Sequence, residues 1–204
     1  MKEEKTKLRT EYEIEKKLLF FATGNFNKFN EARMILKEYD FASAMINAKT
    51  VEIQNDSLAE IAKTSAIEAF KLCHLPIMVE DAGLFVQALK GFPGPYAAYV
   101  YKTISNPGML KLMNKVENRK ASFRSLIAYY DGTREPICFE GETDGEIALD
   151  ERWGNGKAGF GFDPIFIPSG NWKTFAEMEI DEKNRLSHRA KSVRKFAEWY
   201  RESV

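Results

Sequence analysis

Short runs of apolar residues alternate along the chain with longer amphipathic segments. Leu18–Ala22 is a continuous apolar run, and from Asn27 to Tyr39 the apolar positions recur at helical spacing. A strand buried on both faces is apolar throughout, whereas a helix packed on a core is apolar along one stripe. The pattern predicts a strand, a tight turn at Thr23-Gly24-Asn25 and a helix, which together form the first unit of an α/β fold.

The alternation continues through the first half of the chain. A second strand is predicted within residues 42–53. The next helix is expected to start at Asp56 or Ser57, whose side chains can cap it, and to end by Pro76. Another short buried strand is predicted at Ile77–Val79.

Longer strands are predicted in the second half. Residues 90–108 are rich in Gly, Pro and Tyr and are expected to form a loop, with a helix over 107–116. Apolar and polar positions alternate within 121–149, which indicates two or three strands. Asp131-Gly132 and Asp144-Gly145 indicate turns or a bulge between these strands.

The chain is predicted to close with a short strand at Pro164–Pro168 and a helix that starts near Ser187. The apolar stripe of this helix is Ala190, Val193, Phe196, Ala197 and Tyr200. The fold class is therefore α/β, with an elongated mixed sheet flanked by helices and two lobes around a central cleft. Residues 1–16, rich in Lys and Glu, are expected to be a charged extension before a single domain at 17–204.

Composition narrows the range of functions. Lys plus Arg and Asp plus Glu both number 30, so no global positive field attracts nucleic acid or an anionic membrane. Cys73 and Cys138 are far apart, which favours reduced thiols over a disulfide framework or a metal cluster. No apolar run approaches the roughly 20 residues of a spanning helix, and no apolar signal core follows the N-terminus. We expect a cytoplasmic protein.

The segment Thr23-Gly24-Asn25-Phe26-Asn27-Lys28 is a candidate phosphate site. A glycine turn between a buried strand and a helix directs backbone N–H groups and the positive end of the helix dipole at one point. Lys28 adds a full charge one turn into the helix. The segment matches neither a Walker A loop nor a GxGxxG loop. An ordinary turn with a solvated lysine remains the alternative.

Two acids follow the strand at Ile77–Val79. Glu80 and Asp81 come at its carboxyl end, which in α/β sheets faces the ligand crevice. Carboxylates there suit a hard divalent cation that also bridges phosphates. A solvated strand end is the alternative interpretation.

Gly159-Phe160-Gly161-Phe162-Asp163-Pro164 is a candidate base site. Glycines allow a flat ligand to approach closely, an aromatic face can stack on a nucleobase, and Asp163 can accept from ring N–H groups. The alternative is a glycine-bulged strand whose aromatic rings fill the core.

The segment 183–189 places three cations and a histidine before or at the start of the last helix. Cations at a helix start are electrostatically unfavourable unless an anion compensates them. The segment therefore indicates a bound phosphate or, alternatively, a basic solvated turn.

These segments, in this order, resemble the inosine triphosphate pyrophosphatase family, the Ham1-like non-standard purine NTP pyrophosphatases. The resemblance runs from Leu18 to about Tyr200, and Gly91-Phe92-Pro93-Gly94 contributes to it. It implies two lobes around a nucleotide-binding cleft, usually in a homodimer. It also implies hydrolysis of ITP, dITP and XTP to the monophosphate and pyrophosphate with Mg²⁺. The balanced charge leaves nucleic acid and membrane outside the expected partners.

The resemblance also implies roles for individual residues at the triphosphate. Asn25 and Lys28 would hold it together with Thr23 and Gly24, and Lys28 would thereby take part in catalysis. Glu52 resembles a metal-binding glutamate, and Asp81 resembles the acid that binds metal or activates the attacking water. The triphosphate and metal set is Thr23, Gly24, Asn25, Lys28, Glu52, Asp81 and Ala82.

A second set of residues is implied for the base. Phe160 would stack on the purine with Asp163 nearby, while His188 and Arg189 would lie at its 6-keto group. Lys183 would contact phosphate. This set is Phe160, Gly161, Phe162, Asp163, Lys183, His188 and Arg189.

The chain departs from the family pattern at several positions. Ala97 and Ala98 stand after Gly91-Phe92-Pro93-Gly94, where small hydroxyl residues are frequent. Ala82 stands where Ser or Thr is frequent, and Ser65 stands where a Lys or Asn often faces the triphosphate. Ala82 alone supports an alternative function, a non-catalytic purine nucleotide-binding or sensor protein of the same fold.

Overall fold

The computed structural model describes residues 18–48, 53–154 and 159–203. Within these residues the strands form one seven-stranded sheet in the order β2-β1-β3-β5-β6-β7, with β4 paired to β3. The strands are β1 (Leu18–Ala22), β2 (Ala42–Ile46), β3 (Ile77–Val86), β4 (Pro93–Gly94), β5 (Lys120–Tyr130), β6 (Ile137–Ile147) and β7 (Phe166–Pro168). The helices are α1 (Phe26–Lys37), α2 (Leu58–Cys73), α3 (Ala97–Thr103), α4 (Ser105–Leu112), α5 (Ile180–Leu186) and α6 (His188–Ser203).

The first predicted unit is confirmed. Helix α1 starts at Phe26 because the side chain of Asn25 accepts from the N–H groups of Asn27, at 2.9 Å, and Lys28, at 3.2 Å. Its apolar stripe is buried against β1. One charged residue, Glu31, is buried along with this stripe.

Helix α2 begins as predicted. The hydroxyl of Ser57 accepts from Glu60 N–H, and the helix follows from Leu58. It ends at Cys73, before Pro76, because His74 takes a left-handed conformation with φ 54°.

The sheet is covered by helices on both faces around β1. On one face α1 and α6 pack together, with Phe21, Ile35 and Phe196 fully buried between them. The opposite face is covered by α2, whose alanines pack on Val79. The predicted stripe of α6 is buried throughout.

The prediction of a short strand at Ile77–Val79 is wrong. Strand β3 continues for ten residues to Val86, so Glu80 and Asp81 lie in its middle and not at its end. The reason is its neighbour: β5 pairs with β3 antiparallel over the whole length from Ile77 to Val86. Such pairing outweighs the low strand propensity of acids and glycine.

Two further predictions are corrected in the distal part of the sheet. Residues 90–108 contain helix α3, and the helix expected over 107–116 runs from Ser105 to Leu112. Both helices exist because Val100 and Met109 are buried in a distal apolar cluster.

The hairpin at Asp131-Gly132 is confirmed by the pairing of β5 with β6. Asp144-Gly145 is not a turn, because it lies inside β6 and pairs with Ser122 and Ala121. The strand predicted at Pro164–Pro168 is a 3₁₀ turn followed by β7.

The edge of β3 that faces β1 is open between the end of β1 and the start of β4. This opening separates the two lobes. Strand β1 pairs with β3 up to Val79, and β4 pairs with it at Leu84 and Phe85. Between them, residues 80–83 have no strand partner on that edge in the described part of the chain. In the ranges that the structure covers, no helix has the length and apolarity to cross a membrane.

Candidate active site

The candidate site lies at the opening along β3. Strands β1 and β3 are parallel neighbours, and β1 also pairs with β2 on its other side. The connections from β1 to β2 and from β2 to β3 run through helices on opposite faces. Ligands of α/β sheets bind where the connections diverge in this way, beyond the carboxyl ends of the strands.

The turn after β1 is held in one shape by its own hydrogen bonds. Thr23 N–H donates to Ile46 O at 3.1 Å, and Asn25 N–H donates to the Thr23 hydroxyl at 3.1 Å. The Asn25 side chain caps α1, while Gly24 is exposed. The turn therefore presents accessible backbone at the positive end of a helix, as a phosphate site requires.

Lys28 reaches from α1 across to the opening. Its Nζ lies 2.9 Å from Oε2 of Glu80 and 3.4 Å from the Glu80 carbonyl oxygen. The lysine side chain keeps 19% of its surface exposed, whereas the Glu80 side chain keeps none. Lys28 thus remains accessible from the cleft while it is paired.

Glu80 belongs to the buried side of the site. Its Oε1 accepts from the Ser125 hydroxyl at 2.8 Å and from Nε of Arg189 at 3.0 Å. Burial alone would raise the pKa of Glu80, but Arg189 and Lys28 lower that pKa well below its ordinary value. Glu80 is therefore a carboxylate held by cations on two sides.

Asp81 has a different environment from its neighbour. Successive side chains of a strand point to opposite faces, so Asp81 projects away from Glu80. Asp81 is half-buried beside the opening. Within the described ranges, no three His, Cys, Asp or Glu side chains are grouped as a metal site. Glu52 lies outside the described residues.

Lys183 is fully buried between two carboxylates. Its Nζ donates to Oε1 of Glu31 at 2.6 Å and to Oδ2 of Asp163 at 2.6 Å. The cations before the last helix were expected to need compensating anions. For Lys183 these anions are the carboxylates of two protein side chains. Glu31 was missed by sequence reasoning, and its signal was a lone acid beside the apolar stripe of α1.

Arg189 joins this group to Glu80. Its Nη1 donates to Oε2 of Glu31, and its Nε donates to Glu80. Burial would raise the pKa of Glu31, but Lys183 and Arg189 lower it further than burial raises it. The ionic cluster consists of Lys28, Lys183, Arg189, Glu31, Glu80 and Asp163. Burial raises the pKa of Asp163, and Lys183 opposes this rise. With Asp163 ionised, three cations meet three anions, which makes burial of so many ions tolerable.

His188 is buried next to this ionic cluster. Its ring stacks on Phe123 with centroids 4.7 Å apart and an interplanar angle of 10°. Burial, and then the charge of Arg189, lowers the pKa of His188 well below its ordinary value, so the ring is neutral. Its Nδ1 has no hydrogen-bond partner among the described residues.

The two aromatic rings of the glycine-rich segment have separate roles. Phe160 is half-buried. The centroid of its ring lies 4.8 Å from Nζ of Lys183 and 5.4 Å from Cζ of Arg189. Phe162 is 3% exposed and packs edge-on against Tyr101 in the distal core. Gly161, with φ 59°, makes the turn between them. Phe160 is therefore the accessible ring for stacking, and Phe162 is a core residue.

A groove of about 620 Å³ lies elsewhere, on the exposed face of the distal sheet. Phe85, Arg124 and Glu142 are among its lining residues, and Arg124 pairs with Glu142 at 2.9 Å. None of the residues predicted to contact the nucleotide lines this groove.

Comparison with known proteins identifies the family of the chain. The sequence model of the Ham1 family matches residues 19–199. The chain is 47% identical over 186 residues to the dITP/XTP pyrophosphatase of Methanopyrus kandleri, covering 91% of this chain and 97% of that protein. It is 48% identical over 186 residues to the dITP/XTP pyrophosphatase of Thermococcus kodakarensis, covering 91% and 98%.

Solved structures are similar over nearly the same length. The Ham1 protein of Staphylococcus aureus superposes with a TM-score of 0.78 at 27% identity, covering 92% of this chain and 100% of that one. A HAM1 protein from Coxiella burnetii gives a TM-score of 0.76 at 28% identity, covering 91% and 98%.

Proposed function

The chain belongs to the Ham1 family, and from this premise we propose that it hydrolyses non-standard purine nucleoside triphosphates. ITP, dITP and XTP are the proposed substrates, and the products are the monophosphate and pyrophosphate. The observation that carries the proposal is the buried ionic cluster, which links an accessible phosphate turn to an aromatic base site. Relatives named dITP/XTP pyrophosphatase support the substrate class.

The site has two ends, which we name by the part of the substrate each would bind. The phosphate end consists of Thr23–Lys28 and Asp81. The base end consists of Phe160, Asp163, Lys183, His188, Arg189 and Glu31. Glu80 lies between them, because it pairs with both Lys28 and Arg189.

At the phosphate end, catalysis is positioning and charge neutralisation. The turn after β1 offers the positive end of α1 beside the exposed Gly24. Lys28 offers a cation for phosphate oxygens as water attacks the α-phosphorus. The half-buried Asp81 is the residue we assign to orient that water and accept its proton. The leaving group is pyrophosphate.

At the base end, recognition relies on fixed donors. Phe160 provides the stacking face. Arg189 is a donor only, so it suits the 6-oxo group of hypoxanthine or xanthine and leaves the 6-amino group of adenine without an acceptor. Lys183, to which the resemblance gives a phosphate contact, donates to two buried carboxylates and supports the base end through them. The neutral His188 contributes a ring nitrogen without adding charge.

A divalent cation is part of the proposal, and the family's activity is metal-dependent. Asp81 offers the carboxylate oxygens that Mg²⁺ prefers, and triphosphate oxygens would complete the ligands, so the residues fit a shared protein–substrate site. Asp81 and Glu52 would hold Mg²⁺. When bound, the ion neutralises charge on the phosphate oxygens.

We also propose that the chain forms a homodimer located in the cytoplasm, without nucleic-acid or membrane partners. The equal numbers of acidic and basic residues support the absence of nucleic acid and membrane. Sedimentation equilibrium of the full chain tests the dimer, with a monomer as the opposing result.

The decisive assay supplies ITP and Mg²⁺ and measures both phosphate products. We expect one pyrophosphate per inosine monophosphate, and a loss of kcat of about 100- to 10,000-fold in Asp81→Asn. Release of orthophosphate by the unaltered protein would exclude a pyrophosphatase. Tight ITP binding without turnover would favour the sensor function suggested by Ala82.

A further inference from the structure

We propose that Gly141 is a positioning residue for base recognition, and this rests on the proposed function. Gly141 lies on β6 directly beneath the first turn of α6, the turn that carries His188 and Arg189. The contact between β6 and α6 sets how deeply these two side chains enter the base end.

Helix and strand touch through their backbones at this point. A Cβ atom on Gly141 would lie 2.1 Å from the carbonyl oxygen of His188 and 2.6 Å from the amide nitrogen of Ser192. It would also lie 2.9 Å from Cβ of Lys191. Two of these are backbone atoms of a helix, which cannot rotate away as a side chain can. Only a residue without Cβ fits there.

The same stretch of β6 is hydrogen-bonded to the end of α5 and to the first turns of α6. The Thr143 hydroxyl donates to the carbonyl oxygen of Leu186 at 2.7 Å. The side chains of Lys191 and Lys195 donate to carbonyl oxygens of Glu142 and Glu140, at 2.6 and 2.7 Å. The first turn is therefore held against the strand with no intervening layer of side chains.

The turn held in this way carries the recognition groups. His188 stacks on Phe123 of β5, and Arg189 reaches both Glu31 and Glu80. Ser192, one turn later, hydrogen-bonds with Ser125, which in turn donates to Glu80. A displacement of the turn therefore moves both donors and strains the ionic cluster.

The size of the displacement follows from the contacts. Ordinary van der Waals contacts of a Cβ atom are 3.4–4 Å, whereas the distance at Gly141 is 2.1 Å. A methyl group must therefore push the turn outward by about 1 Å, a misplacement that costs on the order of 100-fold in catalysis when it affects positioned groups.

The test is Gly141→Ala, measured as kcat/KM for ITP and for ATP. We expect about a 100-fold loss for ITP and a smaller loss for ATP, so that the preference for ITP narrows. A glycine that only supports folding would lower thermal stability and leave this preference unchanged, and that result in a folded variant would overturn the proposal.

Gly132→Ala is the matched control. Its Cβ atom would lie 2.3 Å from Cζ of Phe70, at a φ of 84°, in the turn between β5 and β6. This variant is expected to lose stability and keep the preference for ITP. An equal narrowing in Gly132→Ala would attribute the effect to general destabilisation and overturn the proposal.

Thr143→Val serves if Gly141→Ala does not fold. It keeps the shape of the side chain and removes the bond to Leu186 O, and we expect about a 3- to 10-fold narrowing of the ITP preference. An unchanged preference contradicts the proposal.

If the unaltered protein releases no pyrophosphate from ITP, the proposed function fails separately. The positioning role of Gly141 is then tested by comparing crystal structures of the unaltered chain and of Gly141→Ala. A shift of the His188 carbonyl supports it, and an unmoved turn overturns it.

Discussion

The phosphate end and the base end handle charge in opposite ways. At the phosphate end Gly24 is exposed and Lys28 remains accessible, so its positive potential is open to the cleft. At the base end Lys183 and Arg189 are almost completely buried, and each contacts two carboxylates. A triphosphate brings its own negative charge, whereas a purine brings none. Open cations suit the first, and donors already neutralised and fixed suit the second.

Glu80 connects the two ends. One oxygen lies against Lys28, and the other accepts from Arg189. Its neighbour Asp81 projects from the other face of β3. Two adjacent acids therefore differ in environment: Glu80 is buried against Lys28 and Arg189, and Asp81 is half-buried beside the opening. The proposed role in water activation and metal binding belongs to Asp81.

Among the changes that test the difference between the two ends, removal of Glu31 should have the largest effect, a loss of unfolding free energy. Glu31→Ala leaves Lys183 and Arg189 each short of one buried partner, which costs about 3–5 kcal/mol of unfolding free energy. Urea unfolding monitored by circular dichroism measures the change. Glu38→Ala is the control, since Glu38 pairs with Arg194 at the surface and should cost under about 1 kcal/mol. Equal losses would contradict the difference between buried and exposed pairs.

Loss of the stacking ring should affect substrate binding more than folding. Phe160→Ala removes the accessible ring, and base stacking contributes about 1–3 kcal/mol, so KM for ITP should rise about 5- to 100-fold. Steady-state kinetics with thermal melts separate binding from folding. Phe162→Ala, by comparison, should mainly lower stability because that ring is in the core. A rise in KM confined to Phe162→Ala would reverse the two assignments.

The smallest expected effect is a loss of unfolding free energy on acidification, which comes from the neutral His188. Burial and the charges of Arg189, Lys183 and Lys28 lower the pKa of His188, and Glu80 opposes them. Its contribution to stability is therefore complete above the unfolded pKa of about 6.5 and is lost as pH falls below that value. Between pH 7.5 and 5.5 the chain should lose about 1 kcal/mol more unfolding free energy than His188→Gln. If the unaltered chain and His188→Gln lost the same unfolding free energy over this pH range, His188 would be charged in the folded protein.

Sequence patterns predicted local elements well where one residue type decides the outcome. Ser57, one of the two predicted caps, caps α2, and the stripe of α6 is buried as its spacing requires. The patterns failed at β3 and at Asp144-Gly145, because strand length there depends on pairing with β5 and β7.

The order of motifs along the chain was sufficient to determine the family, and the apolar periodicity was sufficient to predict the α/β class. The motifs also indicated the candidate residues of both ends except Glu31. Tertiary structure alone decided which charges meet: Glu31 and Lys183 are 152 positions apart and share one hydrogen bond. It also decided that Phe160 is accessible while Phe162 is buried, although the two rings stand in nearly identical sequence surroundings. Local sequence encodes propensities and caps, whereas burial and ion pairing depend on which distant segments pack together.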